Sequence, residues 1–109
     1  MIAITVREDN INSPIEDCFG KTKYFCLLKK DFNKLKFISN PGNELLKNSG
    51  KKAVTFLHSM GVTSVMSGNY GITVKKMLDK YKIQTVIIPA KYINLTQLLE
   101  IVSKNSFQR

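Results

Sequence analysis

Three side chains in this sequence are of types that bind metal clusters: Cys18, Cys26 and His58. Thiolates and imidazoles are the ligands that iron–sulfur and similar centres prefer. Cys18 lies in a polar loop just before Gly20 and is the best candidate ligand, with a free structural cysteine as the alternative. Cys26 is predicted to be a small buried residue of a strand, and His58, beside an apolar helical stripe, a surface residue. Two cysteines without CxxC spacing indicate reduced thiols.

The turn at residues 67–71 (SGNYG) is the second feature that could do chemistry. Glycines allow a backbone to approach a ligand closely, and the N–H groups at the start of the following helix favour an anion. The turn therefore predicts an anion cradle, although it lacks the lysine and the spacing of a P-loop. The alternative is an ordinary strand-to-helix turn that needs a positive φ at Gly68 or Gly71.

Four carboxylates, those of Glu8, Asp9, Glu16 and Asp17, lie in one loop, but their placement does not indicate an enzyme. A nuclease that works through divalent metals needs carboxylates converging from several elements, and the first apolar run contains none. No Ser-His-Asp or Cys-His set occurs at motif spacing. We therefore predict a protein without enzymatic activity.

The charge of the chain is basic and uneven. The formal net charge is +9, with −3 over residues 1–20 and +12 over the remainder. Such an excess attracts polyanions, anionic surfaces or an anionic cofactor, and the alternative is a solvated lysine-rich surface. Of the 17 basic residues nearly all are lysines, whereas base reading favours arginine, so sequence-specific nucleic-acid binding is not expected.

The strands that must position these groups follow from the apolar runs. The first run is apolar on both faces and predicts a central strand. The second and third predict a hairpin connected through residues 31–33, with Lys34 and Lys36 on one face of an edge strand as a guard against aggregation. The predicted strands are Ile2–Val6, Tyr24–Leu28, 34–38, 62–66 and 85–88.

Three helical stripes alternate with the later strands. Gly61 ends the first helix and Asn94 caps the last. The resulting order, βββαβαβα, predicts a mixed sheet with helices on its faces. The stripes consist of Ala53, Val54, Phe56, Leu57 and Met60, then Val74, Met77, Leu78 and Tyr81, then Leu95, Leu98, Leu99 and Val102.

An ordered set of short motifs resembles a known family. The motifs are residues 18–25 (CFGKTKYF), 39–41 (SNP), Gly50 at a helix start, 61–62 (GV) and 67–71 (SGNYG). At these spacings, over almost the whole chain, they resemble the dinitrogenase iron-molybdenum cofactor biosynthesis family, the NifX- and NafY-like group. The resemblance implies a ribonuclease H-like, three-layer α/β/α fold. It implies a five-stranded mixed sheet in the order 3-2-1-4-5 with strand 2 antiparallel, and the binding or carrying of an iron–sulfur or molybdenum-containing cluster.

The implied strand order also locates a site. The first and fourth strands become neighbours, and ligands of open α/β sheets bind beyond the carboxyl ends at such a switch point. Arg7 and the turn amides would hold negative charge there, and Cys18 would be the only metal ligand. The carboxylates of the acidic loop would repel a highly anionic ligand unless this loop folds away from the site. The predicted cofactor-binding residues are Arg7, Asn10, Cys18, Gly20, Asn40, Gly68, Asn69 and Gly71.

The chain is therefore predicted to form one NifX/NafY-like domain over residues 1–109 that binds or carries an iron–sulfur or molybdenum-containing cluster or a similar small anionic cofactor. Its partners would be the cluster, a cluster-donor or acceptor protein, or a second copy. The alternative is a non-enzymatic interaction module, a homodimer in one version, that docks an acidic partner or a polyanion through a lysine-rich face. No apolar run approaches the roughly 18 residues of a membrane span, so a cytoplasmic protein without membrane contact is expected.

Overall fold

The computed structural model describes residues 1–29, 34–43, 48–89 and 94–105, with the side chains of all but the last three of these. The elements occur in the predicted order of three strands, a helix, and then two strand–helix pairs. They are β1 (Ile2–Val6), β2 (Tyr24–Leu28), β3 (Leu35–Ser39), α1 (Ser49–Ser59), β4 (Ser64–Ser67), α2 (Ile72–Lys80), β5 (Gln84–Ile87) and α3 (Leu95–Asn105).

The five strands form one mixed sheet in the order β3-β2-β1-β4-β5. Strand β2 is antiparallel to both β1 and β3, whereas β1 with β4 and β4 with β5 are parallel. This confirms the predicted fold. Because every strand except β2 runs in the same direction, the carboxyl ends of four strands and the starts of all three helices lie at one side of the sheet, which we call the carboxyl edge.

Burial on both faces of β1 goes with its central position in the sheet. Residues 3–6 are all fully buried, so both faces of the strand are covered. Ala3 packs in a core with Ala53 and Leu57 of α1, and Ile4 packs in a second core with Leu95 of α3. Helices α1 and α2 therefore cover one face of the sheet and α3 covers the other.

The hairpin has the predicted pairing, with β3 one residue later than expected. Strand β3 begins at Leu35, which pairs with Leu28. Lys34 and Lys36 are exposed, while Leu35 and Phe37 pack on the α3 side. The predicted connection at residues 31–33 lies outside the described residues.

The helical stripes face the two cores as predicted, and the residues of each stripe are buried or partly buried there. Ala53, Val54 and Leu57 are fully buried in α1, and Gly61 follows that helix with a φ of +83°, a conformation that suits glycine. Asn94 caps α3, because its side-chain oxygen accepts a hydrogen bond from the Gln97 N–H at 2.9 Å. None of the helices in the described ranges is long and apolar enough to cross a membrane.

The starts of β4 and β5 also differ from the prediction, both for the same physical reason. β4 begins two residues later than expected because the Val62 N–H still bonds to the Leu57 carbonyl and so belongs to the end of α1. β5 begins one residue earlier, where the Gln84 N–H donates to the Thr63 carbonyl. Backbone partners decide where a strand starts, and apolar runs indicate them only approximately.

Candidate functional site

The loop that carries Cys18 crosses the carboxyl end of β4. Cys18 forms an isolated parallel bridge with Asn69, and the Phe19 N–H donates to the Asn69 carbonyl at 3.3 Å. Gly68 lies so close to Asp17 that a Cβ on it would collide with the Asp17 carboxylate. We call residues 16–20 the thiol loop and residues 67–71 the glycine turn. The two predicted halves of the site therefore lie directly against each other.

Two buried hydroxyl groups hold the thiol loop in place. The Thr5 hydroxyl of β1 donates to the Glu16 carbonyl at 2.6 Å, and the Ser67 hydroxyl of β4 donates to the Asp17 carbonyl at 3.1 Å. The two hydroxyl oxygens are 3.0 Å apart, and both residues are fully buried. Neither Thr5 nor Ser67 is among the predicted site residues, although Ser67 begins the predicted turn. Their only signal is a polar residue near the end of an otherwise apolar strand.

Phe19 anchors the thiol loop to the core. Its side chain is 1% exposed, although the residues on either side are not buried. Its ring centroid lies 5.6 Å from that of Phe25 and 5.7 Å from that of Tyr70. Aromatic pairs at this separation add to the free energy gained by burial. The exposed thiol of Cys18 is thus attached to a rigid neighbour.

The starts of α1 and α2 flank the thiol loop, and neither is capped by its N-cap side chain. Asn48 precedes α1 with a φ of 62° and makes no capping hydrogen bond, and Gly71 precedes α2 without a side chain to offer. Neither first turn contains an acidic residue. Gly20 lies against Gly50 of α1, since a Cβ on it would be 2.9 Å from the Gly50 nitrogen. Among the described residues, the two helix starts therefore lack an N-cap side chain that bonds to their N–H groups, an arrangement that favours an anion on both sides of the loop.

The glycine turn needs a glycine where another part of the chain lies close to it, and not because of unusual backbone angles. Gly71 has a φ of −68°, and among the described glycines only Gly61 has a positive φ. The prediction of a positive φ at Gly68 or Gly71 is therefore wrong, whereas anion binding by the turn stays a prediction beside the alternative of an ordinary strand-to-helix turn. At Gly68 the requirement is space beside Asp17, whereas a Cβ at Gly71 would meet no atom within 4 Å.

The charges around Cys18 partly offset each other. Glu16 lies with one carboxylate oxygen 3.6 Å from the Arg7 guanidinium and accepts the Cys18 N–H with the other at 3.1 Å. Asp17 is exposed beside Gly68. Within the described ranges, no three side chains of His, Cys, Asp or Glu converge on a common point. A cluster here would thus have one protein thiolate and open coordination positions.

Segment 8–13 folds towards α3, away from Cys18. Ser13 is fully buried, and its hydroxyl oxygen accepts the N–H groups of Arg7 and Glu8 at 3.0 and 2.8 Å. The Ser13 carbonyl accepts the Leu95 N–H of α3 at 2.9 Å. Asn10 lies in this segment and bonds to the Asn12 N–H. The structure therefore places Asn10 apart from the thiol loop and moves part of the acidic loop away from it.

Asn40 is a buried organiser of the backbone beside the hairpin. Its side-chain nitrogen donates to the Thr22 carbonyl at 2.9 Å and to the Gly20 carbonyl at 3.3 Å, and its oxygen accepts the Gly42 N–H. It borders an open cleft of about 320 Å³ that contains no other predicted site residue. The cleft is lined by Lys23, Tyr24, Ser39, Asn40, Pro41 and Asn43. The eight predicted residues thus fall into a group of six around Cys18 and two outlying positions, Asn10 and Asn40.

The other soft side chains lie elsewhere. His58 stacks on Tyr81, with ring centroids 4.3 Å apart, at the ends of α1 and α2 opposite the carboxyl edge. Cys26 is fully buried in the α3-side core, as predicted, together with Met66. Only Cys18 is both exposed and at the carboxyl edge.

The two thiols are expected to differ sharply in reactivity. Burial raises the pKa of the Cys26 thiol from 9.0 to about 12, so it stays protonated and inaccessible in the folded protein. We expect iodoacetamide at mildly alkaline pH to modify Cys18 alone, with Cys26 reacting only in denaturant, as measured by mass spectrometry.

The same pKa difference has a consequence for stability. Above pH 9 the unfolded chain loses the Cys26 proton while the folded chain keeps it, so the contribution of Cys26 to stability is constant below pH 9 and falls as the pH rises towards 12. Urea midpoints across this range measure the fall. Equal alkylation of both cysteines in the native protein would contradict this assignment.

The fold is shared with other small α/β proteins of known structure. The apo form of the orange protein from Desulfovibrio gigas has a TM-score of 0.81 to this chain at 17% identity, over 91% of this chain and 82% of that one. A Thermotoga protein described as a candidate NifB protein has a TM-score of 0.74 at 17% identity, over 94% of this chain and 85% of that one. At these identities the likeness concerns the fold.

The sequence identifies the family. Residues 1–104 match the dinitrogenase iron-molybdenum cofactor family, so the chain belongs to that family and the resemblance predicted from the motifs is confirmed. No curated protein matches the sequence significantly. Membership relates the chain to the handling of the iron-molybdenum cofactor.

Proposed function

We propose that this protein is a carrier for an iron–sulfur or molybdenum-containing cluster, held at the carboxyl edge with Cys18 as the protein ligand. The observation that carries the proposal is an exposed thiol beside two helix starts that receive no hydrogen bond from the side chain of their own N-cap residue. Soft thiolates bind such metals, and helix N–H groups favour the negative charge of the cluster. Family membership supports the same cargo.

The electrostatic balance also supports an anionic cargo. Arg7 offsets Glu16, and segment 8–13 with Glu8 and Asp9 is held towards α3. Among the described residues, Asp17, the sequence neighbour of Cys18, is then the carboxylate near the two helix starts that has no ion pair. The repulsion expected from four acidic residues is thereby reduced.

Open coordination suits a carrier better than an enzyme. One thiolate leaves the remaining metal positions to exogenous thiols or to a partner protein, so the cargo can be released by ligand exchange. The protein would transfer the cluster without chemical change, in the cytoplasm, where exposed thiols remain reduced.

A second candidate function rests on the distribution of lysines. Residues 48–89 contain six lysines and one acidic residue, Asp79, which pairs with Lys75 at 2.7 Å. The lysines of α1 and α2 are exposed, so the layer formed by these helices is basic. This face could dock an acidic partner, and such binding would weaken as salt is raised.

Anaerobic reconstitution tests the carrier proposal. Protein incubated with ferrous iron and sulfide, with and without molybdate, is desalted and analysed for metal content and visible absorption. We expect wild-type protein to retain metal and Cys18→Ala to retain at least about tenfold less, since even outer partners of a metal ligand are worth that much.

The matched control is Asn12→Ala, an exposed position in the segment that folds towards α3. It should retain metal like the wild type. Circular dichroism confirms that both variants are folded. Equal retention by the Cys18→Ala variant would remove thiolate coordination from the proposal, and colourless, metal-free wild-type protein that binds poly-glutamate in a salt-sensitive way would favour the second function.

A further inference from the structure

In the part of the chain that the structure describes, β5 is an edge strand, and no strand pairs with its outer side. The N–H groups of Gln84 and Ile88 donate to carbonyl groups at Thr63 and Ser67, each at 2.9 Å. In a parallel ladder, the N–H and C=O of one residue point to the same side, and alternate residues point to opposite sides. Thr85 and Ile87 therefore direct both of their backbone groups away from the sheet.

The two edges of the sheet differ in charge. The β3 edge carries Lys34 and Lys36, which discourage pairing with another strand. The sequence from Ile83 to Pro89 has no charged residue, and the Ile87 side chain is 69% exposed. The β5 edge is thus uncharged and apolar in a chain with a net charge of +9.

We propose that β5 pairs with β5 of a second copy of this chain, in antiparallel orientation about a two-fold axis at Val86. Two five-stranded sheets would join into one. Thr85 then lies opposite Ile87 of the partner subunit, and the reverse pair follows by symmetry. The backbone N–H and C=O groups of both residues point outward. Each pair therefore exchanges two hydrogen bonds, like a hydrogen-bonded pair in an antiparallel ladder.

The pattern fits a second copy for two reasons. The outward groups of Thr85 and Ile87 satisfy one another in this register, so the edge is complementary to itself. The neutral segment is also a place where two chains of charge +9 can approach without opposing lysines. Screening should relieve the remaining repulsion, so dimerisation is expected to strengthen with salt, unlike the docking of an acidic partner.

Sedimentation equilibrium from micromolar to millimolar protein, at low and high salt, tests the proposal. We expect the wild type to approach the mass of two 12.4 kDa chains. Ile87→Lys should raise the dissociation constant about tenfold or more, because it places a charge on the pairing edge. The matched control is Ile72→Lys, since Ile72 is 78% exposed but lies on α2, and it should dimerise like the wild type.

Amide exchange in the wild-type protein provides a second readout that needs no variant. Dimerisation should protect the Thr85 and Ile87 amides as the protein concentration rises. A single-chain mass at every concentration and salt, or fast exchange of these two amides in a dimer, would overturn the proposal. The test does not involve a cluster, so its outcome is independent of the carrier function.

Discussion

Replacing Phe19 by alanine should lower the free energy of unfolding by about 3–5 kcal/mol, the cost of removing a buried phenylalanine ring. The ring is 1% exposed and contacts both Phe25 and Tyr70. Because a domain of this size has a total stability of about 5–15 kcal/mol, much of the margin would be lost. Urea unfolding followed by circular dichroism measures the change.

The effect should also reach the neighbouring thiol. Cys18 is adjacent in sequence to the anchor, so loosening Phe19 should speed alkylation of Cys18 below the urea midpoint. Ile72→Ala is the matched control, because this exposed apolar side chain should contribute no more than about 0.5 kcal/mol. A loss below about 1 kcal/mol in the Phe19→Ala variant would show that the ring does not anchor the loop.

Replacing Gly20 by alanine should disrupt the contact between the thiol loop and α1. The added Cβ would lie 2.9 Å from the nitrogen and 3.0 Å from the Cα of Gly50, and neither backbone atom can move without shifting the helix start. Overpacking of this kind costs about 1–3 kcal/mol. We expect this loss in urea unfolding and a matching loss of metal retention, because the loop would separate from one of its two helix starts.

Gly71→Ala provides the matched control for this substitution. Gly71 has a φ of −68°, and a Cβ there would meet nothing within 4 Å. The lower chain entropy of alanine in the unfolded state opposes its weaker preference for a helix N-cap, so the net change should stay within about 0.5 kcal/mol. Equal stability of the Gly20 and Gly71 variants would contradict the close packing of loop and helix.

The acidic loop shows how the fold changes the meaning of a sequence feature. Four carboxylates between residues 8 and 17 oppose an anionic ligand when they are considered together. In the structure, Ser13 turns the first part of the loop towards α3, and Glu16 lies beside Arg7. The carboxylates are thus distributed over different surroundings, and the opposition to an anion at Cys18 is weaker than their number indicates.

Much of the architecture is determined by the sequence itself. The run Ile2–Val6 is apolar on both faces and so predicts a central strand. The stripe of Ala53, Val54 and Leu57 predicts the buried face of α1. These predictions succeed because residues two, three or four apart share a face of one element, so a local pattern is enough to specify burial. The family motifs add the strand order, which periodicity alone does not contain.

The tertiary structure alone decided which loop residues meet at the carboxyl edge. Cys18 lies beside Asn69 because hydroxyls of Thr5 and Ser67 hold the backbone of the thiol loop, through bonds between residues 11 and 50 positions apart. Asn10 is near Cys18 in sequence, yet it lies towards α3 because Ser13 bonds to that helix. Such contacts depend on how separate elements pack, and no local repeat encodes them.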